Sequence, residues 1–311
     1  MKAHIDTTHH IYYYPLDATR FIMAFLVIVI HTIKWNSLFI TRILELAVPF
    51  FFLTSGFFLQ RKSCSDTKQG KSEKQWLYRL LRLYFIWTMV YLPFSIYSCV
   101  HEGNTINNCV MGLLLGTGFY AWHLWYLVAS IIGGGIICLC KKLKFNYLIS
   151  FVLSLFSLVF ISFFDRMFPN HYLIYAFERI ITGWIFLIIG MGVWMLFKFM
   201  MEYKLISLSI SILSLICYFL FGGLLIFLGI TAFFILILLM CYYDSKQFNN
   251  FFNGRVLRKM SADIYFVHMV FVGILSLLIG IEDSFLKFVY VALLSIFFAY
   301  LRLIVNNFPM K

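Results

Sequence analysis

Few residues in this sequence could do chemistry, and two of them are set apart by type and spacing. Arg20 and His31 are eleven positions apart, in an apolar run that opens Leu16-Asp17-Ala18-Thr19-Arg20 and closes Ile30-His31. At 3.6 residues per turn this is about three full turns, so both side chains share one helix face, roughly 16 Å apart along the axis. Asp17 lies one turn before Arg20 on the same face. An imidazole can take or give a proton near neutrality. A guanidinium can bind two phosphate or carboxylate oxygens at once. A plainer reading stands beside this one: Arg20 snorkels to one membrane surface and His31 to the other. That reading leaves the shared face unexplained.

The elements that would hold these groups are membrane helices. Of 311 residues 62% are hydrophobic and only 12% charged, too apolar for a water-soluble fold to bury. The apolar runs at 16–33, 40–59, 80–100, 122–140, 147–164, 180–197, 205–220, 222–243, 262–280 and 285–306 each approach the ~20 residues needed to cross a hydrocarbon core. The spacing predicts an all-α polytopic membrane protein, a bundle of about ten transmembrane helices forming one membrane domain over residues 1–311. The least secure division is Phe221-Gly222-Gly223, read as a tight extracellular hairpin. The Gly-rich stretch 109–119 is too short for a span and reads as interfacial or re-entrant.

Loop charges orient the bundle. Arg61, Lys62, Lys68, Lys71, Lys74, Arg79 and Arg82 follow span 2; Lys141, Lys142 and Lys144 follow span 4. Lys198 and Lys204 follow span 6, and Lys246, Arg255, Arg258 and Lys259 follow span 8. The alternate connections hold only Lys34 and Arg42, then Arg166 and Arg179, then Lys287. By the positive-inside rule both termini are cytoplasmic, and the cell (cytoplasmic) membrane is the expected location. The formal net charge of +12 is then topology, not a nucleic-acid surface. The seven cysteines read as small hydrophobes, with no disulfide framework and no metal-ligand motif. No cleavable signal peptide is expected.

The remaining polar groups are expected in two layers. On the cytoplasmic side are Ser55 beside Gly56, Arg79 and Arg82 opening span 3, and Ser261 opening span 9, with Tyr265 and His268 one to two turns deeper. On the outer side are His31, then Trp122 and His123, then Glu178 and Arg179 at the start of span 6. Each has a structural alternative. Arg79 and Arg82 fit the positive-inside pattern, and Trp122, Trp125 and Tyr126 fit an aromatic belt. Tyr265 and His268 could bond to a neighbouring helix, and Glu178 and Arg179 could pair with each other.

These blocks resemble the acyltransferase family 3 of integral membrane O-acyltransferases. Arg20 and His31, ten residues between them, resemble its first-helix signature. Val48-Pro49-Phe50-Phe51-Phe52 with Ser55-Gly56-Phe57 resembles its second-helix motif, and Tyr78-Arg79-Leu80-Leu81-Arg82-Leu83-Tyr84 its basic third-helix opening. His123-Leu124-Trp125-Tyr126-Leu127 and Ser261…Tyr265…His268 are similar to two further blocks. The resemblance implies ten helices and transfer of an acyl group, usually acetyl from acetyl-CoA, to a hydroxyl of an extracytoplasmic or lipid-linked glycan. It implies that His31 is the catalytic base and that Arg20 engages the acyl donor. Some members carry an extracytoplasmic esterase-like domain. A related set of membrane domains precedes an amino-acid racemase and is linked to serine uptake. Neither appendage is expected here.

On this reading acyl-CoA docks from the cytoplasm, its phosphates held by Arg79, Arg82 and Lys259 with Arg20 deeper, near Ser55 and Ser261. The acceptor enters from outside, near His123, Trp122, Glu178 and Arg179. Glu178 or His123 are candidates to orient His31. The expected partners are the bilayer, acyl-CoA and the glycan, with no metal and no nucleic acid. The rival is a transporter or flippase of a small polar solute or lipid-linked sugar. A scaffolding protein is a third possibility.

Overall fold

In a bilayer the backbone must satisfy its own polar groups, and a helix does so within one segment. The computed structural model describes residues 13–66, 70–101, 106–116, 118, 121–168, 172–243 and 254–307, and all regular structure there is helical. Lys68, Lys246, part of the 109–119 stretch and the side chains of Cys99 and Cys109 lie outside the described residues. The helices are α1 (Tyr14–Thr32), α2 (Leu38–Glu45), α3 (Ala47–Ser65), α4 (Lys71–His101), α5 (Ile106–Leu115), α6 (Trp125–Lys142), α7 (Tyr147–Met167), α8 (Tyr172–Glu202), α9 (Lys204–Phe221), α10 (Ile226–Tyr243), α11 (Gly254–Leu277) and α12 (Phe285–Asn307).

Among the described residues nine stretches have the length and hydropathy of a membrane span, and Ile226–Cys241 is a shorter apolar helix beside them. The chain is an all-α polytopic membrane protein, and the expected ten spans appear as nine long helices and one short one. The Phe221–Gly223 division is a turn: α9 stops at Phe221, Gly222 takes φ +64°, and Gly229 of α10 folds back onto Tyr218. A side chain at Gly222 would be strained by that positive φ and would also meet the Arg42 guanidinium. Arg42 donates to the Phe219 carbonyl, and the Tyr218 hydroxyl donates to Glu45 Oε2 at 2.8 Å. These bonds tie α2 to the hairpin.

Some boundaries differ from the apolar runs. α4, α8 and α11 begin at Lys71, Tyr172 and Gly254, well ahead of the runs that open at 80, 180 and 262. Arg79 and Arg82, Glu178 and Arg179, and Ser261 therefore sit inside helices and not at their starts. Helix hydrogen bonds continue through a polar turn that hydropathy does not register. The second span is two helices meeting at Leu46, so Pro49 falls in the first turn of α3, where a missing N–H costs little. Pro93 lies inside α4.

α8 is the most enclosed helix, packed by α3, α6 and α7, while α7 and α9 bury little and turn their apolar surface outward. The tightest crossing is α3 on α8. A Cβ on Gly56 would come within 2.1 Å of the Leu187 carbonyl oxygen, and one on Gly190 within 2.2 Å of that of Leu53. Only glycine lets the two backbones approach so closely. α1 packs mainly on α11, with Asp17 beside Arg258 at one end and His31 beside His268 at the other, so these helices run the same way. Asp263 pairs with Arg302, so α12 runs back antiparallel to α11. The described chain thus starts and ends on one side of the bundle. The same side carries the ion pair of Lys141 with Glu73 (2.6 Å), in which Ser63 donates to the same carboxylate (2.6 Å).

Candidate functional site

The inner end of the α1 face is a charged cluster. Arg20 Nη1 lies 3.1 Å from Asp17 Oδ1, and Arg258 Nη1 of α11 lies 3.9 Å from Asp17 Oδ2. One carboxylate therefore stands between two guanidiniums. The Asp17 and Arg20 side chains are only 10% and 14% exposed. The Arg20 guanidinium also lies 5.2 Å from the Phe58 ring centroid, a cation–π contact that fixes its plane. Across the site Ser55 Oγ and Tyr126 Oη are 2.9 Å apart.

The outer end is built from imidazoles. The His31 ring is 5.5 Å from that of His268, which is 5.0 Å from that of His123. His268 is 0% and His123 2% exposed. His268 Nδ1 is 2.7 Å from the Tyr265 carbonyl oxygen. Its Nε2 and both ring nitrogens of His123 have no hydrogen-bond partner among the described residues. Buried polar atoms are ordinarily paired, so three unpaired nitrogens in one place are a concentration of unused hydrogen-bonding capacity.

A row of aromatic rings joins the two ends. Tyr126 packs 5.7 Å from Tyr265, whose hydroxyl donates to the His123 carbonyl at 2.8 Å. Tyr91 donates to the Phe266 carbonyl at 2.6 Å and sets its ring edge-on to His123. Hydroxyl-to-backbone bonds of this kind spend the polar atoms on fixing ring positions, which leaves the imidazoles as the uncommitted groups.

Tyr265 and His268 were expected on the cytoplasmic side, one to two turns deeper than Ser261. Tyr265 spans the middle, and His268 sits with His31 and His123, because an α11 that starts earlier runs beside α1 for its whole length. Ser261 spends its hydroxyl on the Arg258 carbonyl of its own helix. Lys259 is exposed, and its charge reaches Asp263 on the flank toward α12, not Asp17. Arg79 and Arg82 are exposed on α4, and the Arg79 charge reaches Tyr126. Trp122 is 49% exposed. Arg179 stands over the rings of Trp125 (5.2 Å) and Tyr175 (4.2 Å) and bonds the Tyr175 hydroxyl; it does not form an ion pair with Glu178. Two residues were missed. Arg258 was read as a loop cation and Tyr126 as belt. For Arg258 the signal exists: Arg258, Ser261, Tyr265 and His268 recur at three- and four-residue steps, one stripe of α11.

Among the described residues no group of three or more His, Cys, Asp or Glu side chains has metal-binding geometry. The arrangement sets a charged cluster at one end of α1 and imidazoles at the other, with a row of aromatic rings between them.

The sequence matches a family model described as an acyltransferase domain over residues 13–303. It is also similar to two proteins of Enterococcus faecalis named amino-acid racemase. One is 34% identical over 158 residues (47% of this chain), the other 26% over 151 residues (45%). A serine/alanine racemase of Enterococcus gallinarum is 28% identical over 127 residues, 38% of this chain. The matched segments span about a fifth of those relatives, 21%, 21% and 18%. No solved structure gives a significant match.

Proposed function

The chain belongs to the acyltransferase 3 family, and from that premise we propose that it moves an acyl group from acyl-CoA in the cytoplasm to a hydroxyl of an extracytoplasmic or lipid-linked glycan. The chain is a membrane acyltransferase; the donor, the acceptor and the cell membrane as its location are the further steps.

The observation that carries the proposal is the single seam with anion-binding groups at one end and imidazoles at the other. CoA phosphates carry several negative charges, which Arg20 and Arg258 complement. Arg79 and Arg82 add positive charge at the same surface. The pantetheine arm would then lie along the aromatic row toward His31. There the acceptor oxygen attacks the thioester carbonyl while His31 takes its proton. The C–S bond breaks, and the proton passes on to the CoA thiolate. Acetyl is the preferred acyl group in this proposal because the family resemblance favours it.

A second reading is transport of a small polar solute or lipid-linked sugar, which would use the same polar residues at both ends of α1. The two readings differ in consumption of the donor. Purified protein in nanodiscs, given acetyl-CoA and a methyl glycoside, is expected to release free CoA thiol and form the acetyl ester. Movement of solute across vesicles with no thiol released would favour transport. Mass spectrometry of surface glycans with and without the protein identifies the acceptor.

A further inference from the structure

We propose that His268 is a positioning residue for His31: its Nδ1–H is anchored on the Tyr265 carbonyl, and its Nε2 accepts an N–H from His31. This holds the His31 ring in the tautomer whose other nitrogen meets the acceptor hydroxyl. The inference rests on the reading of His31 as the base.

The chemistry of the anchor fixes the tautomer. A carbonyl oxygen only accepts, so the 2.7 Å contact requires the proton of His268 to be on Nδ1. In the neutral ring Nε2 is then a lone pair, and it is the atom left without a partner among the described residues. His268 is wholly buried, so water does not compete freely for it.

Two imidazoles are close enough to supply the missing donor. Rings joined by an N–H···N bond have centroids roughly 5 Å apart, a bond of about 2.9 Å plus the two ring radii. His31 lies at 5.5 Å, close to that separation, with its plane tilted only 31°. His123 is at 5.0 Å but inclined 64°, a steeper crossing than that of His31 and further from the coplanar arrangement an in-plane lone pair favours. His31 is also the one of the three that keeps some exposure, as a residue meeting substrate must.

Among the described residues no carboxylate is bonded to His31. The charges whose fields reach His31 are those of Arg179 on α8 and Asp283 in the connection before α12. Asp283 is already held by Lys287 at 2.8 Å, and Arg179 by the Tyr175 hydroxyl and two rings. The other groups facing the cluster are Tyr91 of α4 and Tyr265 of α11, each committed to a backbone carbonyl. His268 is therefore the available acceptor. When the hydroxyl proton arrives on the free nitrogen of His31, the imidazolium keeps its other N–H on His268. No atom beyond those of the acyl transfer is consumed.

The test is nitrogen NMR on protein labelled with 15N-histidine in nanodiscs, with acetyl-CoA turnover measured in parallel. In the unaltered protein His268 is expected to carry its proton on Nδ1, and His31 to show one neutral tautomer. His268→Phe preserves the ring shape and removes the acceptor. It is expected to leave His31 as a tautomer mixture and to lower kcat about 10- to 100-fold with donor KM unchanged. His268→Gln supplies an amide oxygen in place of Nε2 and is expected to stay within about threefold of the parent. A proton on Nε2 of His268 in the unaltered protein overturns the proposal without any variant. So does a His268→Phe protein whose His31 spectrum and kcat are unchanged. Full turnover by His31→Gln would instead overturn the reading of His31 as the base, leaving the His268 tautomer to be judged separately.

Discussion

At the inner end of α1 a single carboxylate, Asp17, sits between Arg20 and Arg258, and each charge there already has a partner. At the outer end three imidazoles meet, and three of their nitrogens have none among the described residues. The inner end sets one carboxylate against two guanidiniums, of which Arg258 is half-exposed, and so keeps a net positive charge. The outer end keeps hydrogen-bonding capacity in reserve. One end is suited to holding a charged donor, the other to moving a proton on a neutral guest. In low dielectric that division is economical, because a charge left unpaired costs far more than an unpaired neutral nitrogen.

The largest expected effect separates the two ends directly. His31→Ala is expected to lower kcat about 10²- to 10⁴-fold, the usual worth of a positioned acid–base group, with donor KM little changed. Steady-state acetyl-CoA turnover measures both. A His31→Ala protein that instead loses donor affinity while keeping kcat would reverse the assignment of the ends.

Stability should divide the ends the other way. Asp17→Ala strands the Arg20 guanidinium, which is only 14% exposed, while the half-exposed Arg258 keeps its water; it is expected to cost on the order of 3 kcal/mol. His123→Phe removes a buried ring whose nitrogens bond nothing among the described residues, so it is expected to be nearly neutral, within about 1 kcal/mol. Thermal unfolding in matched detergent compares them. Equal losses would mean that the outer nitrogens are satisfied in the membrane after all, and would remove the reserve capacity on which the comparison rests.

A smaller effect is expected for Arg20→Lys. It keeps the charge beside Asp17 but loses the planar fork and the stacking on Phe58. Donor KM is expected to rise about tenfold, equivalent to ~1.4 kcal/mol, with kcat retained. An unchanged KM would leave Arg20 as a snorkelling residue paired to Asp17 and nothing more.

Much of this was legible because bilayers impose strict rules. Span length gave the helices, and the eleven-residue step put Arg20 and His31 on one face. What was not legible depends on how helices pack. The placement of His268 beside His31 follows from α1 and α11 lying parallel, and hydropathy says nothing about neighbours. Arg258 was hidden for a related reason: it lies in a polar opening stretch of α11 that reads as loop, and only the start of the helix at Gly254 turns it toward Asp17. Glu178 and Arg179 are adjacent in sequence, yet a helix points neighbours about 100° apart, and Arg179 finds two aromatic rings instead.

The smallest expected effect uses a second carboxylate as the exposed counterpart of Asp17. Asp66 precedes α4 and accepts the Ser72 backbone N–H at 2.7 Å, in the position an anion favours at a helix start. The hydrogen bond from the Ser72 backbone N–H holds its carboxyl below the ordinary aspartate range, helped by the charges of Lys62 and Lys71. A carboxyl whose folded pKa is depressed stabilises the fold above its unfolded value of about 3.9 and loses that contribution as pH falls through the lower folded value. Asp66→Asn keeps an accepting oxygen and removes the charge. It is therefore expected to lower Tm by about a degree or less at neutral pH, and the difference should fade below about pH 4 and vanish once the parent carboxyl is protonated. Salt should shrink it further, since the group is solvent-facing. Asp17→Asn, by contrast, should remain destabilising in high salt, because buried pairs are screened far less. Equal salt sensitivity at the two positions would place the Arg20 cluster in open water and end its claim to be a donor site within the bundle.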